Sequence, residues 1–163
     1  MQVKIKNADK FTIPRISQLT MKTNQFNLTT KRYSPEEIEK IVNSSRYLVK
    51  TFSVQDKFGD NGLTGLYIVN KEDKKKWKID TFLMSCRIMG RNIEKVMMAD
   101  LIDEAIKEKI ENISGEYIST KKNEVTRELY QKLGFLKLGE NKYELNKLEK
   151  NIMLINNIKI SKN

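Results

Sequence analysis

Between Arg46 and Cys86 three apolar runs follow one another: "RYLVKTFSV", "GLTGLYIVN" and "KWKIDTFLMSC", broken only by "QDKFGDN" and "KEDKKK". Each run is rich in β-branched and aromatic residues and reads as a strand. Parallel neighbours need a long crossover, and these breaks are too short for one. The three strands are therefore expected to form an antiparallel meander, around which the rest of the chain must pack.

The flanks alternate helix and strand signals. Gln2–Ile5 alternate as a short strand. "DKFTIPRISQLTMKTNQF" reads as a helix, with Pro14 suited to its first turn and Ile16, Leu19 and Met21 partly periodic. "NQFNLTTKRY" reads as a loop. "SPEEIEKIVNSS" carries a full helix start: Ser34 as cap, Pro35 behind it, and Glu36 and Glu37 where the dipole favours them. "NIEKVMMADLIDEAIKEKI" is an amphipathic helix on Ile93, Met97, Leu101 and Ala105, widened by Met98, Ile102 and Ile106. Further on, "GEYIST" reads as a strand and "KNEVTRELYQKLG" as a helix with Val125, Leu129 and Leu133 on one face, ending at Gly134. "FLKLGENKYEL" reads as a hairpin. In the last stretch "IMLI" or "IKI" offers an added strand. The order β, α, α, β, β, β, α, β, α, β, β, with no repeat or linker, implies one domain over residues 1–163, in which about 146–163 form a C-terminal extension or extra strand.

Composition narrows the chemistry. The chain has no histidine and one cysteine, Cys86. This excludes an internal disulfide, Ser–His and Cys–His catalysis and the usual zinc ligand sets, and no EF-hand pattern supplies an oxygen site. No metal is expected. No run is long enough for a membrane span and no signal-peptide core is present, so a cytoplasmic location without membrane contact is expected. A net charge of +10 points to acidic partners, or simply to a lysine-rich surface.

The junction "SCRIMGRNIE" joins the third meander strand to the long helix. A helix N-terminus with unpaired N–H groups is an anion site. Gly90 allows close backbone approach, and Arg87 and Arg91 add charge.

The element order and "KNEVTRELYQKLGF" resemble the GNAT acetyltransferase superfamily over nearly the whole chain. Its pyrophosphate loop reads Q/R-x-x-G-x-G/A; Arg87, Gly90 and Asn92 fill those positions, Asn92 departing from the small third residue in a way that tightens the approach to a pyrophosphate. Asn123, Tyr130, Lys132, Gly134 and Phe135 match the family's later helix motif. The resemblance implies an α/β (α+β) GNAT acyl-CoA N-acyltransferase fold, a mixed, mostly antiparallel sheet flanked by helices. It also implies that the strand before the loop splays from its neighbour. Free amides around Phe82, Leu83 and Met84 would then hold the thioester carbonyl and the pantetheine arm of acetyl-CoA or of a carrier protein's 4'-phosphopantetheine. Asn123 would touch the cofactor, and Tyr130 would protonate the leaving thiolate as general acid. The plainer reading of Tyr130 is a helix tyrosine flanking the core beside Leu129.

Three longer runs, "RISQLTMKTNQFNLTTKRYS", "FGDNGLTGLYIV" and "WKIDTFLMSCRIMGRNIE", resemble the C-terminal domain of FkbH-like proteins. In those two-domain enzymes a HAD-type phosphatase precedes a GNAT-like domain, and a glyceryl unit is loaded onto an acyl carrier protein in polyketide-type pathways. This chain has no D-x-D-x-T motif, so it is expected to be a domain or stand-alone relative that is not the phosphatase, with an acyl carrier protein or a HAD-type phosphatase as partner. In that setting Cys86 could carry an acyl group, with Arg87 and a helix N-terminus favouring its thiolate; otherwise it is a small buried strand residue. Asp80, an even number of residues upstream, would share its face as base or orienting group unless a bulge intervenes, or is an ordinary strand carboxylate. Lys22, Asn24, Gln25 and Asn27 would read substrate or carrier arm, or simply cap a polar loop. The alternatives are a stand-alone acetyl-CoA-dependent N-acetyltransferase and a non-catalytic carrier-docking module. Nucleic-acid binding is unsupported by any stacking pattern or reader motif.

Overall fold

The computed structural model describes residues 1–149 and 157–163. Its elements are β1 (Gln2–Asn7), α1 (Ile13–Lys22), α2 (Pro35–Asn43), β2 (Tyr47–Asp56), β3 (Gly59–Asn70), β4 (Lys76–Met84), α3 (Ile93–Lys107), β5 (Asn112–Glu116), α4 (Leu129–Lys132), β6 (Leu136–Lys137), β7 (Lys142–Leu145) and β8 (Lys159–Lys162). They build one sheet in the order β6-β7-β5-β4-β3-β2-β1-β8. The β2-β3-β4 meander is antiparallel throughout; β4 with β5 and β1 with β8 are the two parallel pairs. The chain is thus a mixed, mostly antiparallel sheet flanked by helices, as expected.

Two apolar layers hold the helices. On one face α3 lays Ile93, Val96, Met97, Met98, Leu101 and Ala105 against Phe52, Tyr67, Phe82 and Met84. On the other, Ile13, Ile16, Leu19, Ile38 and Ile41 of α1 and α2 cover Leu66, Ile68 and Leu83. Each fully buried aliphatic or aromatic side chain contributes roughly 1.5–3 kcal/mol. α2 starts as its sequence dictates: Ser34 Oγ accepts from the Glu37 N–H, and Glu37 accepts from the Ser34 N–H at 2.8 Å.

Three elements differ from those expected. α1 occupies only Ile13–Lys22 of its expected span, and Met21 is 48% exposed, off the apolar stripe. The "GEYIST" strand is shifted back: β5 ends at Glu116, the Tyr117 N–H still donates to Asn141 O beside β7, and the Ile118 N–H turns to Leu28 O. The helix over "KNEVTRELYQKLG" is broken into a 3-10 turn (Glu124–Thr126) and the short α4. There the Thr126 hydroxyl donates to Asn123 O at 2.8 Å, a local bond that competes with the helix. It leaves Val125 61% exposed rather than on a packed face. "IMLI" lies outside the described residues, whereas "IKI" does enter β8.

The detail that positions the site is a bulge in β4. Ile68 pairs with Thr81 but Val69 with Ile79, so Asp80 is the extra residue. A bulge reverses the alternation beyond it: Trp77 and Ile79 pack in the α3 layer, and so do Phe82 and Met84.

Candidate functional site

Beyond the end of β4 the chain caps itself into a tight turn. Ser85 Oγ accepts from the Arg87 N–H, and Cys86–Ile88 form a 3-10 turn. Gly90 (φ +74°) and Asn92 (φ +62°) then set the entry to α3 in left-handed backbone. Asn is among the non-glycine residues that adopt this region most readily, so the side chain at Asn92 is compatible with the turn. The amides of Gly90, Arg91 and Asn92 donate to no acceptor among the described residues. Gly90 and Asn92 are exposed and stand at the positive end of α3.

Beside this turn lies a cleft of about 650 Å³, walled by α1 (Arg15, Leu19, Lys22), the loop Thr23–Phe26, the turn Ser85–Arg87, and Lys121 and Lys122. Five of these residues are cations, none is a carboxylate, and none of the five forms an ion pair among the described residues. Arg15 is held by donating from Nε to Leu63 O at 3.2 Å. Burial lowers its pKa from the ordinary guanidinium value, and the like charge of Arg87 lowers it further. Two guanidiniums lining one cleft with no carboxylate beside them can receive an anion. The Cys86 thiol is exposed on the cleft wall.

Among the expected residues, the structure gathers Lys22, Asn24, Gln25, Cys86 and Arg87 around this cleft. Asn24 also accepts from Arg32 at 2.5 Å, so it stiffens the loop. Arg91, by contrast, is tied to Asp56 at the β2–β3 turn. The Phe58 N–H and then Arg91 hold the Asp56 carboxyl below its ordinary range. Sequence reasoning passed over Arg15, Lys121 and Lys122. Arg15, Leu19 and Lys22 recur at i, i+4 and i+7, a one-face signal that was available but masked by the apolar reading of that helix.

Asp80 is not a partner of Cys86. The bulge breaks the even spacing, and both Asp80 oxygens are engaged elsewhere: Lys31 Nζ lies 2.8 Å from Oδ1, and Tyr33 and Thr81 donate to Oδ2 at 2.8 and 2.9 Å. Thr29 Oγ1 adds a bond to Asp80 O at 2.8 Å. Asp80 anchors the α1–α2 loop. Burial and the Asp80 carboxylate together raise the Tyr33 pKa.

The edge of β4 that was expected to be free is occupied. β4 and β5 pair only over Lys76–Lys78 and Asn112–Ser114 and then part, as the resemblance implied. Into the opening runs Phe26–Leu28, antiparallel to β4 through an Asn27–Leu83 bridge. The Met84 N–H donates to Phe26 O (3.1 Å), the Leu28 N–H to Phe82 O (3.3 Å) and the Ile118 N–H to Leu28 O (2.9 Å). Phe82, Leu83, Met84 and Asn27 are fully buried and face no cleft. Asn123 is buried as well, with its amide fully used. Its oxygen accepts from Thr120 N and Tyr117 Oη, and its nitrogen donates to Asn27 O and Ile118 O at 3.0 and 2.9 Å. It clamps the loop rather than facing a cofactor. Tyr130 is shut in too, at 1% exposure, stacked on Tyr143, tilted against Phe135 and pressed on Gly115. A Cβ at Gly115 would stand 2.4 Å from the Tyr130 ring, so that position admits only glycine. The Tyr130 hydroxyl has no geometrically sound partner, and burial raises its pKa. It is the plainer reading, a core tyrosine, that the structure matches.

Coenzyme A, or a phosphopantetheine, is the group this fold implies. The turn Arg87–Asn92 and the cations of the cleft fit its phosphates. The thioester end does not fit: the β4 edge, Asn123 and Tyr130 are all engaged within the protein. Among the described residues no cluster of three or more His, Cys, Asp or Glu could hold a metal, and no helix is long and apolar enough to cross a membrane.

No family model and no curated protein matches the sequence. Solved structures do match. Ard1 from Thermoplasma volcanium shares 14% identity at a TM-score of 0.67, over 87% of this chain and 94% of its own. The ribosomal-protein-S18-alanine N-acetyltransferase from Escherichia coli shares 14% at 0.67, over 92% and 98%. The yncA structure from Salmonella typhimurium, solved with its cofactor acetyl-CoA, shares 15% at 0.63, over 88% and 93%. At such identities the likeness speaks for the fold: the chain has the GNAT-like fold of these acetyltransferases.

Proposed function

We propose that this chain is a GNAT-like acyltransferase domain that handles a pantetheine thioester in the manner of the C-terminal part of FkbH-like glyceryl transferases, with Cys86 as the transient acyl carrier. The observation that carries this reading is the exposed Cys86 thiol on the wall of a cleft with five cations that form no ion pair among the described residues. Arg15 and Arg87 hold an anionic substrate, and Lys22, Lys121 and Lys122 draw it in. Attack by the Cys86 sulfur on an acyl carbonyl forms one C–S bond while the bond to the leaving thiol breaks. The proton that Cys86 gives up balances the one the leaving thiolate takes. A second thiol reverses the exchange, so the step needs no oxidant or metal.

The alternative, direct transfer from acetyl-CoA to an amine, draws support from the fold alone. It would need a route to the thioester other than the β4 edge that Phe26–Leu28 occupies, and a general acid other than the buried Tyr130. The test is intact-mass detection of an acyl adduct after incubation with acylated carrier protein. An adduct on the wild type that is absent in Cys86→Ala supports the relay. An adduct that persists in Cys86→Ala, or none in either, rejects it.

A further inference from the structure

The groove between β4 and β5 already has an occupant, and it is part of the chain. Phe26–Leu28 runs along the open edge of β4 and uses its backbone groups. Its carbonyl at Phe26 uses the Met84 amide, its amide at Leu28 uses the Phe82 carbonyl, and its carbonyl at Leu28 reaches across to the Ile118 amide. Leu28 therefore joins the two parted strands.

The segment is built as a wall. Asn27 and Leu28 are fully buried and Phe26 is 6% exposed. The Asn27 side chain donates to Thr23 O at 3.2 Å and accepts from Thr30 N at 2.9 Å, shaping the bend on either side. Asn123, from the far side of the groove, holds Asn27 O at 3.0 Å. Asp80 fixes the departing loop through Thr29, Lys31 and Tyr33. Displacing the segment would expose two large apolar side chains and orphan buried polar groups on Asn27, Asn123, Phe82 and Ile118 at once.

We infer that Phe26–Leu28 is a fixed strand that has abolished the thioester groove of this fold, so that the chain binds phosphate-bearing ligands through their phosphates alone. The cleft cations and the amides of Gly90 to Asn92 hold the phosphate, and any pantetheine arm stays outside the sheet, along the cleft beside Cys86. The shared chemistry is a phosphate or pyrophosphate group, carried either by a pantetheine-bearing molecule or by a free small molecule. A closed groove and an acyl relay at Cys86 are separate properties, although the choice of probes follows from the thioester reading above.

The test is calorimetry on the wild-type chain with four probes: inorganic pyrophosphate, coenzyme A, adenosine 3'-phosphate 5'-diphosphate (its nucleotide half) and pantetheine without phosphate. With no arm seated in the sheet and only loose contact along the open cleft, coenzyme A and its nucleotide half are expected to agree within about threefold, and pantetheine is expected not to bind measurably. Pyrophosphate is expected to compete with both, and Arg15→Gln with Arg87→Gln to weaken it at least about tenfold. Coenzyme A binding more than about tenfold tighter than its nucleotide half, or measurable binding of pantetheine, would show an arm seated in the sheet and overturn the closed groove. Failure of pyrophosphate to bind would overturn the phosphate site. Cys86→Ala keeps the same affinities if the inference holds, so loss of the acyl adduct and loss of phosphate binding are read separately.

Discussion

Two groups of charge lie on opposite sides of this sheet and are built in opposite ways. On α3, Asp100, Asp103 and Glu104 meet Lys50, Lys107 and Lys162. Lys162 sits 2.8 Å from Asp100 and 3.3 Å from Asp103; Lys107 and Lys50 sit 2.7 and 3.7 Å from Glu104. Tyr67 completes the group with a 2.8 Å bond to Asp100, itself only 2% exposed. Each cation there has its carboxylate. In the cleft, Arg15, Lys22, Arg87, Lys121 and Lys122 have none among the described residues. The paired group spends its charge inside the fold, joining β8 and β2 to α3. The unpaired group gains no ion pair from the described residues and its like charges repel, which suits a surface kept for an outside anion.

That contrast breaks most sharply at Asp100. Asp100→Ala leaves a buried tyrosine hydroxyl and a lysine without their acceptor, and is expected to cost about 3 kcal/mol. A urea melt reads this directly, and a loss below about 1 kcal/mol would place the α3 cluster with ordinary surface pairs. Next comes the wall beside the cleft. Asn123→Ala frees four hydrogen-bonding groups and is expected to cost about 2 kcal/mol in the same melt. If the residue served a cofactor instead of the loop, stability would hardly move.

The cleft cations should behave in the opposite sense. Lys121→Gln and Arg87→Gln are expected to shift stability by less than about 0.5 kcal/mol, with Arg15→Gln neutral or slightly stabilising as a like charge is removed. Pyrophosphate is expected to raise the Tm of the wild type and much less that of Arg87→Gln, since a ligand stabilises only the state that binds it.

The smallest effect is alkaline. Desolvation pulls the Lys162 pKa down, but Asp100 and Asp103 outweigh it and leave it above 10.5. A raised base contributes stability that is complete below its unfolded value and is lost as pH climbs through the folded one. Wild-type stability should therefore fall above about pH 10.5, and that of Lys162→Met less steeply.

The sequence was legible where its signals are local. The meander, the Ser34 cap and the α3 stripe all rest on neighbours in the chain, and all formed. The broken helix around Val125 failed because one threonine hydroxyl outcompeted a weak periodicity. The site was harder to read for two physical reasons. The Asp80 bulge shifts a face without any compositional mark, so spacing alone paired Asp80 with Cys86. The groove is closed by contacts of Phe26–Leu28 with Phe82–Met84 and Ile118, far apart in sequence, and a loop read as polar gave no hint that its centre is buried. Charge was also half-legible: the sequence counts the cations, but only the fold decides which of them find a carboxylate.

The central claim is that the chain itself fills the groove where this fold would take a thioester. Hydrogen exchange at the amides of Leu28, Met84 and Ile118 tests it most directly, because all three donate across the closed groove. The account predicts slow exchange at all three, unchanged by saturating coenzyme A, while the amides of Gly90 to Asn92 become protected. Faster exchange at Leu28 and Ile118 on adding coenzyme A, with Met84 still protected, would mean that the segment leaves and the arm takes its place.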